Sequence, residues 1–255
     1  MGGSHVRVRK LFSAMAVAVA MVIGFSPASP VGAENEPVEP AFGPLSSPIR
    51  PGSSLGGYCT FNYIFYELIY PTPEVPEPVP DVYIGTAGHC TDELGERAEL
   101  DGFGEIGTVA YDSDVAGTAV DFSLIELDAE RVAQTNPQMR GFEGPKGVAT
   151  TSMLGVGDRV DVYGYGLVVG SLEETRPRFG LLTDWTDDEY VADMPAVNGD
   201  SGAPLLHDES GFALGIISRY GFGQTPPSTD VGPFVDWALR EARAAGFDIT
   251  LATID

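Results

Sequence analysis

Between Tyr63 and Ser218 the chain rises repeatedly into short runs of β-branched and aromatic residues, most of them closed by Gly, Asp or Pro. The runs are Tyr63 to Tyr70, Val82 to Thr86, Glu105 to Tyr111, Val120 to Leu127, Arg159 to Tyr165, Gly180 to Thr183, Ala203 to Leu206 and Phe212 to Ser218. They are too short for ordinary helices and do not alternate with helical patterns. A parallel α/β sheet is therefore excluded, and an all-β sandwich or pair of barrels is expected. The 32 Gly and 20 Pro of the 255 residues supply the turns. Pro71 to Pro80 (PTPEVPEPVP) cannot pair in a sheet and predicts a protruding loop. The acidic stretch Asp184 to Asp193 reads as a solvated loop that would also suit cationic peptides. Only Pro233 to Ala245 (PFVDWALREARAA) reads as a helix, with Pro at its start, Gly246 after its end and Phe234, Trp237, Ala238 and Leu239 able to share a face.

The N-terminus carries a different pattern. Arg7, Arg9 and Lys10 precede an apolar run from Leu11 to Phe25, and Val31-Gly32-Ala33 ends a small, turn-forming stretch. This is the layout of a secretory signal cut after Ala33. A membrane anchor is the alternative, but 15 residues fall short of a span, which needs about 20. Residues 34–57 lack periodicity and read as a tether or short propeptide, leaving 58–255 as the folded domain. Export, with no membrane association after cleavage, is the expected localisation.

The 14 basic residues face 37 acidic ones, a net charge of −23. Nucleic acid is excluded as a partner, because phosphate contacts need clustered cations, and anionic membrane surfaces are excluded with it. Acidity of this kind fits solubility, salt adaptation or the attraction of cationic substrates, and composition does not separate them. A monomer is expected. The two cysteines, Cys59 and Cys90, fit one disulfide in an exported chain. No metal site is expected, since two Cys and the two histidines after residue 33 do not reach finger spacing.

Three stretches carry chemistry: Gly85-Thr86-Ala87-Gly88-His89-Cys90, Val120-Asp121-Phe122-Ser123-Leu124-Ile125 and Asn198-Gly199-Asp200-Ser201-Gly202-Ala203-Pro204. Acyl transfer by a serine needs a base for its proton, a carboxylate to orient that base, and backbone N–H groups facing the developing oxyanion. Of the two histidines after residue 33, His207 opens His-Asp-Glu-Ser-Gly and reads as a surface turn, which leaves His89 as the base. Asp121 lies among apolar neighbours, where a carboxylate is costly unless hydrogen-bonded; an exposed edge strand is the plain alternative. Asp112 and Asp114 read as solvated loop residues.

Taken together and in this order, the three stretches resemble those of the chymotrypsin-like serine proteases, most of all the short secreted bacterial branch. The resemblance spans roughly residues 53–246. It implies two six-stranded antiparallel β-barrels with a cleft between them and a C-terminal helix. It makes His89 the general base, Asp121 the orienter and Ser201 the nucleophile. The N–H groups of Gly199 and Ser201 become the oxyanion hole, and Cys59–Cys90 the bridge beside the catalytic His. Ser218, Arg219 and Tyr220 become the strand that pairs with a peptide substrate, with Ser218 also touching Asp121. No metal or organic cofactor is implied.

Several positions depart from the family pattern. Ala203 stands where animal enzymes usually carry Gly, and Arg219 where they carry a large aromatic. The position six residues before Ser201, acidic in trypsins, is Pro195, so a preference for Lys or Arg is unsupported; Asp230 is the acid that could enter the pocket instead. Asp200 calls for a cationic partner, for which Arg159 is the candidate. Two other classes share parts of this pattern. A non-catalytic binding protein on the same fold would spoil the pocket or oxyanion hole. A serine esterase of the α/β-hydrolase type needs Gly two residues after the serine, where Ala203 stands.

Overall fold

The computed structural model describes residues 36–166, 170, 172–220 and 228–254. The expected signal, residues 1–33, lies outside the described residues. Two antiparallel sheets make up the structure. The first contains β1 (Ser54–Leu55), β2 (Cys59–Thr60), β3 (Ile64–Glu67), β4 (Val82–Thr86), β5 (Arg97–Leu100), β6 (Gly104–Asp112) and β7 (Ser123–Leu127). The second contains β8 (Arg159–Tyr163), β9 (Pro177–Trp185), β10 (Glu189–Met194), β11 (Pro204–His207), β12 (Phe212–Ile216), β13 (Arg219–Tyr220) and β14 (Ser228–Pro233). A last strand, β15 (Ile249–Leu251), returns to the first sheet and pairs with β3. The orders are β15-β3-β4-β7-β6-β5-β1-β2 and β12-β11-β8-β9-β10-β14-β13. Setting aside the two-residue strands, each sheet has six, the number the sequence reading expects.

Alternation sets which residues face inward. In β9 the buried positions are Arg178, Gly180 and Leu182, and in β10 they are Tyr190, Ala192 and Met194. One apolar cluster fills each sheet, around Phe61, Ile84 and Ile106 in the first and around Val162, Leu182 and Leu214 in the second. A third cluster joins them, with Tyr63, Phe65 and Phe122 meeting Leu206, Ile216 and the C-terminal helix Val235–Ala244. Tyr63 fixes that junction, because its hydroxyl donates across to the Leu205 carbonyl of the second sheet. The helix buries Val235, Ala238, Leu239 and Ala242 on one face, and Gly246 follows at φ 102.

Four expectations need correction. Residues 47–55 are not a tether: Ile49 is fully buried, and Leu55 pairs with Leu100. The stretch Asp184 to Asp193 is not a solvated loop but the end of β9 and most of β10, since its acids alternate with inward residues. His207 is not on the surface; it ends β11 buried, its ring 2.9 Å from Ser210 Oγ and 3.2 Å from Asp158 Oδ2. Asp112 is not solvated either, for it caps the short helix α1 (Ser113–Ala116) and accepts from Thr91 Oγ1 at 2.6 Å. Among the described residues, no helix is long and apolar enough to cross a membrane.

Candidate active site

The first sheet supplies His89 and Asp121. After β4 the chain makes a single 3-10 turn, Gly88–Cys90, and His89 leaves it toward solvent. Asp121 does not lie within a strand as expected. It sits two residues before β7 with φ 48, a left-handed conformation that Asp tolerates better than most residues. That geometry turns the carboxylate back onto His89. Asp121 Oδ1 accepts the His89 backbone N–H at 3.0 Å, and Oδ2 lies 3.1 Å from the ring Nδ1. The Ser218 hydroxyl donates to Oδ2 from the second sheet. Gly88 is required here, because a Cβ would come within 2.6 Å of Ser113 Oγ and 3.1 Å of Asp121 Oδ1. Ser113 in turn holds the Asp121 loop by accepting the Phe122 N–H at 3.0 Å.

These contacts shift both groups. Burial acts to raise the Asp121 carboxyl. The hydrogen bonds from the His89 ring, Ser218 and the His89 backbone outweigh it and hold the carboxyl below its ordinary value. The ring's hydrogen bond to Asp121 raises the His89 imidazole, against the opposing effect of its own burial. The His89 side chain keeps 45% of its surface exposed.

The second sheet supplies Ser201 in the turn before β11. Gly199 has φ 101, and a Cβ there would meet the Tyr165 carbonyl at 2.5 Å. Gly202 has φ 86 and packs against the first sheet, where a Cβ would lie 2.2 Å from the Thr60 carbonyl. Gly is therefore needed on each side of the Asp200-Ser201 pair. Thr60 ties the turn to the first sheet. Its N–H donates to the Ser201 carbonyl at 2.8 Å and its hydroxyl to the Gly199 carbonyl at 2.9 Å. The expected Cys59–Cys90 disulfide is formed. It thus links the neighbour of Thr60 to the neighbour of His89, and Cys90 Sγ lies 3.8 Å from the Ser201 carbonyl oxygen. Among the described residues, neither the Gly199 nor the Ser201 N–H has an acceptor, and no hydrogen bond joins Ser201 Oγ to His89.

Sequence reasoning missed the partner of Asp200. Arg159 pairs instead with Asp161, at 2.9 Å, and stacks on Phe179. The cation that reaches Asp200 is Arg178, whose Nη1 donates to Oδ2 at 2.8 Å while Nη2 donates to Oδ1. Asp200 is fully buried and also accepts the N–H groups of Gly166 at 2.8 Å and Val197 at 2.9 Å. This fork-to-fork pair fixes the turn one residue before Ser201. Strand parity puts Arg178 on the inward side of β9 with Gly180 and Leu182, but it does not name the partner.

The remaining expected residues fall at the sheet edge. β13 is the last strand of its sheet and pairs through Arg219↔Val231 and Tyr220↔Asp230, leaving its other edge free of strands among the described residues. Arg219 is ion-paired with Glu189 on the exposed face. Cys59, His89 and Cys90 bring three ligand atoms within 4.8 Å, but both sulfurs belong to the disulfide and offer no thiolate to a metal.

The two curled sheets, the cleft residues between them and the single C-terminal helix define the chymotrypsin-like two-barrel fold. Solved structures share it. The chain is similar to Thermobifida fusca Protease A at 18% identity, covering 81% of this chain and 99% of that one, with a TM-score of 0.57. It is similar to Nocardiopsis protease at 16% identity, covering 80% and 98%, with a TM-score of 0.56. It is also similar to Cellulomonas bogoriensis chymotrypsin at 18% identity, covering 81% and 99%, with a TM-score of 0.52. No protein-family model and no curated protein matches the chain.

Proposed function

We propose that the chain is a secreted serine endopeptidase that cleaves proteins or peptides through an acyl-enzyme on Ser201. The observation that carries this reading is the His89–Asp121–Ser218 network, joined through Cys90 to a glycine turn whose two N–H groups have no acceptor among the described residues. The proteases that share the fold, named above, support it.

In this reading His89 Nε2 takes the Ser201 proton as Oγ attacks the scissile carbonyl. Asp121, held ionised by three donors, keeps Nδ1 protonated and stabilises the imidazolium that forms. The Gly199 and Ser201 N–H groups receive the oxyanion, which is where preorganised donors contribute most. His89 then returns the proton to the leaving amine, and water repeats the sequence to release the acyl group. The open edge at Ser218, Arg219 and Tyr220 aligns the substrate as an added strand. The enzyme works as a monomer without metal or organic cofactor. Residues 1–33 export it to an oxidising compartment, where the disulfide persists.

The test is intact-mass analysis after treatment with a fluorophosphonate, with Ser201→Ala as control. A single adduct that disappears in the variant, together with loss of peptide hydrolysis, is expected. An adduct or hydrolysis that survives Ser201→Ala overturns the assignment.

A further inference from the structure

A groove of about 690 Å³ opens on the first sheet, away from the residues of the candidate active site. Strands β4 and β7 join the two places. β4 starts at Val82 in the groove and ends at Thr86, ahead of the His89 turn; β7 starts at Ser123, close to Asp121, and ends at Leu127 in the groove. That run of strand sets them about 13 Å apart. Two segments without regular structure line the groove, Val38-Glu39-Pro40-Ala41 and Pro78-Val79-Pro80. Both are anchored. The Val38 N–H donates to the Ile69 carbonyl at 2.9 Å, Phe42 packs on the first apolar cluster, and the Asp81 carbonyl accepts the Glu67 N–H at 2.9 Å. Pro40, Pro78 and Pro80 have no N–H, so the two segments cannot close the groove by pairing as strands. Leu127, Ala129 and Val132 extend its apolar lining, and Val79 is 85% exposed. The volume is that of a site for a small ligand or a few side chains, about 300–1,000 Å³.

The charged part of the lining has one sign. Glu39, Asp81, Glu126 and Asp128 line the groove, and no Lys, Arg or His does. Asp128 is engaged by Arg97, at 2.8 Å from Nη1. Among the described residues, Glu39, Asp81 and Glu126 take part in no ion pair. Glu126 lies opposite Tyr83 on one neighbouring strand and Thr108 on the other. Its own burial, with the charges of Asp81, Glu67 and Asp128, pushes its carboxyl up from the ordinary value, a repulsion that a bound cation would relieve. Apolar walls with unpaired carboxylates suit a ligand that is apolar along its stems and cationic at its tips, the make-up of Lys and Arg side chains. A second copy of this chain would bring another −23 charge and be repelled.

We propose that this groove is a docking site for a basic peptide segment with apolar side chains between its cations. The stems and apolar side chains lie on Val38, Val79 and Val132, and the cationic heads reach Glu39, Asp81 and Glu126. The segment docks apart from the His89–Asp121 pair, so the proposal does not depend on the assignment of Ser201 as nucleophile.

The test is fluorescence anisotropy of a labelled peptide, Lys-Leu-Lys-Leu-Lys, titrated with Ser201→Ala protein so that binding is read without cleavage. Adding Asp81→Asn and Glu126→Gln, both exposed positions, is expected to weaken binding about tenfold, the loss of two exposed ion pairs. Adding Glu173→Gln and Glu174→Gln instead removes the same charge from the turn before β9 and should change affinity less than about twofold. Equal weakening by the two pairs would mean attraction to general acidity and overturns the proposal. Lys-Ser-Lys-Ser-Lys should bind at least about tenfold more weakly, because it leaves the apolar lining wet; equal affinity of the two peptides overturns it. Amide NMR shifts on adding the Leu peptide locate the site without any groove variant. Shifts across residues 126–132 support the proposal. Shifts confined to β13 and the His89 turn place the peptide in the cleft and overturn it, as does an absence of binding at millimolar peptide.

Discussion

The first sheet brings His89 and Asp121 to the cleft, and the second brings the Ser201 turn with Arg178 and Asp200. Each half therefore contains a nitrogen base facing a carboxylate at hydrogen-bond distance. The surroundings differ completely. The His89 side chain is 45% exposed, whereas Arg178 and Asp200 are shut away from water. The exposed pair is held by a few directed hydrogen bonds and can change its proton count. The buried pair is locked by two parallel hydrogen bonds from one guanidinium. In the proposed function one half moves protons, and the other holds still what the protons act on.

Substitutions should separate these two kinds of work. Asp121→Asn has the largest expected effect: the fold persists in circular dichroism, while kcat falls about 10⁴-fold because an amide NH₂ facing Nδ1 holds the ring in the wrong tautomer. An unchanged kcat would move the orienter elsewhere. Arg178→Met should act the other way round, on stability first. Stranding a buried carboxylate costs about 3–5 kcal/mol, read as a lower denaturant midpoint. Adding Asp200→Asn to it should recover part of that loss, since the two share one interaction. Ser218→Ala removes one donor from Asp121 and should lower kcat about tenfold, in line with one hydrogen bond to a charged group.

The smallest effect is in pH. The His89 value is raised above 6.5, so the acid limb of kcat/KM should lie above that value. Asp121→Asn should bring it down. The raised value means that the pair favours the folded state fully below the unfolded His value and loses this as pH rises through the folded one. The half-exposed ring makes that share of stability small. A melting-temperature series across the window, compared with His89→Gln, would measure it.

The same comparison explains what could be read from the sequence. His89, Asp121 and Ser201 each stand in a local motif, and most strands announce themselves by β-branched residues between turns. β4 (Val82–Thr86) has the limits expected of it. Residues fixed by distant pairing were illegible. β5 reads Arg-Ala-Glu-Leu, good helix formers that become a strand only because β6 and β1 flank them. β10 alternates acids with apolar residues, and its charge concealed its period. The positive φ of Asp121 and the Arg178–Asp200 pair arise from tertiary contacts that no local pattern encodes.

The return of β15 to the first sheet has a consequence for the order of synthesis. Strand β3, two residues after Asn62 and ahead of the His89 turn, has β4 on one side and waits for Ile249–Leu251 on the other. That partner is more than 180 residues downstream of β3. The sheet that carries His89 and Asp121 is therefore completed last, although most of it is translated first. A nascent chain already holding the Ser201 turn would still have an unfinished first sheet. Assembly of the whole site would await the synthesis of Ile249–Leu251.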